Sequence, residues 1–179
     1  RRQRQMCIRD SKYILFDFDG TVFDTVEGIT KSVQYALAKR GIEAELDSLR
    51  CFAGPPLVDM FMEKFDLTQE EAEAATEDFR ERYQPIGLYE CRVFPGIKEL
   101  LHALIGAGLH VGIATSKPQH LAEKLLEGEG MLELFEVISG SDSDGNNNSK
   151  AAVLTRAMNA LGADKKAVSY THLTLPTNS

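Results

Sequence analysis

The stretch Asp17-Phe18-Asp19-Gly20-Thr21 sets two carboxylates two residues apart, directly after the apolar run Tyr13 to Phe16. Carboxylates this close disfavour joint ionisation unless a cation lies between them or one keeps its proton. Such a pair suits a nucleophile beside a general acid. An EF-hand calcium loop also opens on Asp-x-Asp, but it needs glycine at its sixth position and glutamate at its twelfth. Here glycine falls fourth, at Gly20, and the twelfth residue is Gly28. The polar loop from Asp142 to Asn148 departs from that spacing in the same way, with Val153 twelfth, and reads as a solvated turn. Strand-terminal aspartates can also be helix caps. The apolar strand before them and GTVFDT after them favour catalysis.

Two more segments carry polar groups where strands should end. GIATSKP, residues 112–118, brings Thr115 and Ser116 to the end of a second apolar run and ahead of a helix. Their hydroxyls and the helix amides can form an anion site, or simply a cap. Lys150 opens the helix that follows a third apolar run, where the helix dipole disfavours a cation. It is either surface decoration or a charge that balances a phosphate and the two aspartates.

Strands and helices must hold these residues together. The runs at 13–17, 110–116 and 135–140 read as buried strands, the second and third preceded by helices over Pro95 to Ala107 and Pro118 to Glu127. Alternation of this kind predicts a parallel sheet covered on both faces. Between the first strand and Pro95 only helical periodicity occurs. Ile29, Val33 and Leu37, then Leu57, Val58, Phe61, Met62 and Phe65, then Ala72, Ala75, Phe79 and Tyr83 recur at three- and four-residue spacings and read as packing faces. A helical lobe is therefore inserted after the first strand, with chain crossings near Asp24 to Thr25 and near Tyr89 to Arg92 that could form a hinge.

The composition excludes several classes. A formal charge of -7 gives no basic patch for nucleic acid, and no apolar run is long enough to span a membrane. Cys7, Cys51 and Cys91 are odd in number and lack metal-ligand spacing, which predicts a reducing, cytoplasmic setting. The two ends are related to each other. Back-translated, residues 1–10 give a reverse complement that reads VSYTHLTLPT, residues 168–177, ten matches in register. This inverted element resembles the translated adapter of transposase-based sequencing libraries. The expectation is that residues 1–11 and 168–179 are non-native, that 12–24 and 91–167 form the core, and that 25–90 form the cap.

DFDGTVFDT, a strand ending in ATS, and a lysine before an amphipathic helix together resemble the haloacid dehalogenase superfamily, in its phosphoglycolate phosphatase-like and 5'-nucleotidase-like branch. The likeness spans the whole insert, including GPPL at 54–57. It implies an α/β fold: a three-layer, Rossmann-like parallel sheet core, incomplete at the C-terminus, with an inserted α-helical cap. It implies that Asp17 attacks phosphorus to form an aspartyl-phosphate and that Asp19 protonates the leaving alcohol and then activates water. Thr115 and the Ser116 amide would hold phosphoryl oxygens, Gly20 would shape the phosphate-facing turn, and Lys150 would balance charge. Mg2+ would bind the Asp17 carboxylate and the Asp19 backbone carbonyl.

By that likeness the substrate is a small phosphorylated metabolite, of the phosphoglycolate or nucleoside monophosphate type. Arg50 and the Gly54 to Pro56 turn are candidates for selecting it, or else a surface cation and a helix boundary. The family's fourth motif, a further set of metal-binding acids, falls where the adapter-like segment begins. His172 stands in its place and takes no role, so this chain is expected to be an inactive or weakly active fragment. A phosphoglucomutase-like phosphoryl transferase and a non-catalytic binding module are the alternatives. Nothing in the sequence bears on oligomeric state.

Overall fold

A computed structural model describes residues 12–142, 149–164 and 167–171. The inverted element at residues 1–10, the middle of the polar loop at 143–148, and His172 lie outside the described residues. The chain divides into two compact units, one formed by the segments before Phe23 and after Val93, the other by Phe23–Val93.

The first unit is built on a parallel sheet. Strands β1 (Tyr13–Phe16), β4 (His110–Pro118), β5 (Val137–Ser141) and β6 (Val168–Thr171) stand in the order β5-β4-β1-β6. Tyr13 pairs with His110 on one side and Val168 on the other, which makes β1 central. Its apolar YILF is what a strand covered on both faces requires. Helices α4 (Ile97–Gly106), α5 (Gln119–Gly128) and α6 (Lys150–Ala160) supply the cover. Leu15 and Ala114 face α6 and pack on Val153 and Ala157, with Val137 and Val168 beside them. Residues alternate across a strand, so Gly140 faces the other way. There a Cβ would lie 2.5 Å from the Cα of Gln119 at the start of α5 and 2.7 Å from the Lys117 carbonyl oxygen. Only glycine permits that approach. The fold is thus an α/β parallel sheet flanked by helices.

Each predicted helix and strand is present, with shifted ends. The helix expected from Pro95 starts at Ile97, because Gly96 takes a left-handed conformation with φ 84°. The helix expected from Pro118 starts at Gln119, because β4 runs on through Thr115, Ser116 and Lys117 to Pro118. The pairing of β4 with β5 shifts register between Ala114 and Pro118.

The second unit comprises α1 (Val26–Ala38), α2 (Leu57–Phe65) and α3 (Gln69–Tyr83), and a two-residue antiparallel ribbon of β2 (Phe23–Asp24) and β3 (Arg92–Val93). The two expected chain crossings are therefore hydrogen-bonded to each other, and Arg92 and Asp24 close an ion pair at 3.2 Å on the ribbon. Ile29, Val33 and Leu37 of α1 and Ala72, Ala75, Phe79 and Tyr83 of α3 are buried as their spacing predicts. In α2 the buried positions are Met60 and Phe61, while Met62 is exposed. Asp59 and Glu63, four apart, mark the polar side of this helix, and Met62 stands at the edge of the wide apolar arc opposite. Thr68 caps α3 reciprocally: its hydroxyl accepts from the Glu71 amide at 3.3 Å and the Glu71 carboxylate accepts from the Thr68 amide at 2.9 Å.

Ion pairs tie α1 to α3 and to the exit segment. Asp78 accepts from Lys39 at 2.7 Å and Arg40 at 2.6 Å. Glu90 accepts two bonds from Arg82, at 2.9 and 3.1 Å, and a third from Lys31 at 3.2 Å. The Arg82 fork, then Lys31, hold the Glu90 carboxyl below the usual range against the opposing effect of burial. A depressed folded pKa gives stability that is present above the unfolded value, about 4.3, and is lost as pH falls through the folded value. Glu90→Gln is therefore expected to cost about 1–2 kcal/mol at neutral pH and nearly nothing in strong acid. Urea unfolding at a series of pH values checks this; a cost that does not shrink below about pH 4 contradicts it.

Candidate active site

The carboxyl ends of β1 and β4 and the amino end of α6 converge on the two aspartates. Asp17 follows β1 and is 6% exposed. Its Oδ1 accepts from the Phe18 amide at 2.9 Å, its Oδ2 lies 2.5 Å from Lys150 Nζ, and its own amide donates to the Thr171 carbonyl at 3.1 Å. The turn then tightens, with the amides of Thr21 and Val22 both reaching the Phe18 carbonyl. Gly20 supplies the left-handed residue at φ 74°. Asp19 in that turn has its Oδ1 3.2 Å from Lys117 Nζ.

Lys150 is the first residue of α6, whose cap is the Ser149 hydroxyl accepting from the Ala152 amide at 3.3 Å. A cation there opposes the helix dipole, and the ion pair with Asp17 offsets that cost. Burial pulls the ammonium's pKa down, but hydrogen bonds with Asp17 and Tyr170 outweigh it and leave the pKa above the ordinary lysine value. The ammonium also lies 5.4 Å from the centre of the Tyr170 ring. Burial in turn raises the Tyr170 hydroxyl's pKa.

Thr115 is almost wholly buried, and its Oγ1 accepts from the Lys117 amide at 3.1 Å. With that acceptor site used, its own hydrogen remains to donate. Ser116 is exposed. Both lie within β4 instead of directly before a helix, so the strand end and the residues just beyond it, not a helix amino terminus, position them.

The structure thus joins Asp17 to Lys150, and Asp19 to Thr115 through Lys117. Sequence reasoning overlooked Lys117 and Tyr170. Lys117 had one available signal: it stands two residues after Thr115, on the same face of a strand. The segment 168–171, part of the adapter-like element, pairs with β1.

The second unit by itself holds two open depressions. One of about 310 Å³ is lined by Asp24, Glu27, Tyr89, Glu90, Cys91 and Arg92. The other, of about 330 Å³, includes Asp24, Asp47, Arg50 and Arg92. Asp24 therefore lines both, and it pairs with Arg92 on the ribbon. Neither depression carries two carboxylates two residues apart, each paired with its own ammonium.

A parallel sheet with an insertion after its first strand, and paired aspartates at that strand's end, defines a class of phosphoryl-handling α/β proteins. The family model described as haloacid dehalogenase-like hydrolase matches residues 14–171, and the chain belongs to that family. It is 43% identical over 150 residues to a 5'-nucleotidase of Pseudomonas aeruginosa, an alignment covering 83% of this chain and 68% of that protein. It is 36% identical over 146 residues to the tyrosine-protein kinase PtkA of Mycobacterium tuberculosis, covering 81% of this chain and half of that protein. The crystal structure of a predicted phosphatase from Clostridium acetobutylicum superposes with a TM-score of 0.85 at 38% identity, covering 89% of this chain and 74% of that one.

Proposed function

We propose that this chain is a phosphomonoester hydrolase for a small metabolite, of the phosphoglycolate or nucleoside monophosphate type, working through an aspartyl-phosphate on Asp17. The observation that carries this reading is that Asp17 and Asp19, two residues apart, each have their own ammonium, Lys150 and Lys117. Membership of a hydrolase family supports it.

An Asp17 oxygen attacks phosphorus while the bond to the leaving oxygen breaks, and Asp19 gives that oxygen its proton. Asp19 then takes a proton from water as the water oxygen attacks phosphorus and Asp17 departs as carboxylate. One difficult displacement becomes two easier ones. Lys150 keeps Asp17 in one orientation and offsets charge on the incoming phosphate. The Thr115 hydroxyl and the Ser116 amide serve as donors to phosphoryl oxygens, and Gly20 lets the backbone approach them.

Magnesium takes six oxygens and often keeps several waters besides one or two carboxylates and substrate phosphate. Among the described residues no group of three or more His, Cys, Asp or Glu could hold a metal ion. The Asp17 carboxylate and the Asp19 backbone carbonyl, both oxygen donors, fit a magnesium held mainly by phosphate and water. Bound there, it would supply positive charge to the transferring group. With so few protein ligands, weak affinity and slow turnover are expected.

Among the described residues no helix is long and apolar enough to cross a membrane. We place the protein in the cytoplasm on its cysteine pattern. The test is release of inorganic phosphate from phosphoglycolate, sugar phosphates and nucleoside monophosphates. Release that depends on added magnesium and stops with a chelator is expected. Interconversion of sugar-phosphate isomers without net phosphate release would instead identify a mutase.

A further inference from the structure

Lys117 is the only buried lysine or arginine among the described residues. Burying an ammonium is costly unless a partner compensates it, and Lys150 already serves Asp17. The partner given to Lys117 is Asp19, 3.2 Å away, with side chains 4% and 15% exposed. Its surroundings hold the lysine in place. Its amide is bonded to Thr115 Oγ1, its carbonyl lies where only a glycine at 140 leaves room, and its ammonium sits 5.6 Å from the centre of the buried Phe18 ring. The stiff partner is thus the strand, and the partner being held is the aspartate in the turn.

We propose that Lys117 is a positioning residue for Asp19. It engages Oδ1 and fixes the carboxyl so that Oδ2 exchanges the proton, given to the leaving oxygen in the first displacement and taken from water in the second. The inference rests on Asp19 being the acid and base of the proposed hydrolysis.

The readout is the dependence of kcat/KM on the leaving group, because kcat/KM reports the first displacement. An alkyl phosphate needs a proton on its leaving oxygen; a dinitrophenyl phosphate does not. Lys117→Met should lower kcat/KM by about 10- to 100-fold for the alkyl ester, and by no more than about threefold for the dinitrophenyl ester. Lys117→Arg should recover part of the alkyl-ester loss. Equal losses for both esters would assign the lysine to phosphate binding or folding, and no loss for either would show that Asp19 works without it; each outcome overturns the proposal.

A second measurement needs neither turnover nor a Lys117 variant. In nitrogen-15 NMR of lysine ammonium groups, a slowly exchanging Lys117 signal is expected in the parent, lost in Asp19→Asn and kept in Asp17→Asn. A Lys117 signal indifferent to Asp19→Asn sinks the pairing. Hydrolysis that survives Asp17→Asn would instead overturn the aspartyl-phosphate reading and leave the ammonium result standing.

Discussion

Asp17→Asn is expected to abolish phosphate release, lowering it by at least about a thousandfold, to the background rate. The substitution keeps shape and removes the nucleophile, because an amide oxygen does not attack phosphorus usefully. Its Oδ1 can still accept from the Phe18 amide, as the carboxylate does at 2.9 Å. What it loses is the negative partner of Lys150, so some stability goes as well. The check is therefore double: phosphate release, and thermal unfolding of the same sample. A folded Asp17→Asn protein that still releases phosphate at the parent's rate would remove Asp17 from the reaction.

Asp19→Asn should separate the two displacements. Asparagine has no proton of the right acidity to give and accepts none from water. Acid-base catalysis by one group is typically worth about 10²–10⁴ in rate. With an alkyl phosphate, both steps suffer and turnover falls by roughly that factor. With a dinitrophenyl phosphate the first step proceeds without help, and the second stalls. The variant should then release dinitrophenol in a burst of one equivalent per chain and gain one phosphoryl group by mass. Treatment with hydroxylamine should remove that group, as it does from an acyl phosphate. Steady release with no trapped phosphoryl group would mean that another residue activates the water.

The sequence showed the parallel sheet, and for a specific reason. Tyr13 to Phe16, Val111 to Ala114 and Val137 to Ile138 are apolar on both faces, which few other settings tolerate. Asp17, Asp19 and Lys150 were legible because each stands at a strand or helix end, where polar groups converge. Lys117 was not. A lysine next to Pro118 looks like the outer end of a strand, and only its partner, 98 residues earlier in the chain, brings it to the candidate site. Tyr170 lies in the segment set aside as adapter-like, and its contacts with Lys150 and with Ala114 depend on β6 lying beside β1. In α2 the expected face holds at Phe61, with Leu57, Val58 and Phe65 half-buried, and departs at Met62, which is exposed while Met60 is buried. A wide apolar arc leaves its exact centre to its neighbours, here the ring of Phe52, 5.1 Å from that of Phe61.

The bond from the Asp17 amide to the Thr171 carbonyl has a bearing on folding. Its donor follows the first strand of the sheet and its acceptor lies in β6, the last described strand of that sheet. Pairings between such distant segments form late, since the chain's entropy must be given up before they stabilise anything. The backbone at Asp17 is therefore among the last parts of this sheet to be held in place. Until β6 lies beside β1, the aspartate pair stands at the end of a strand that is paired on one side alone.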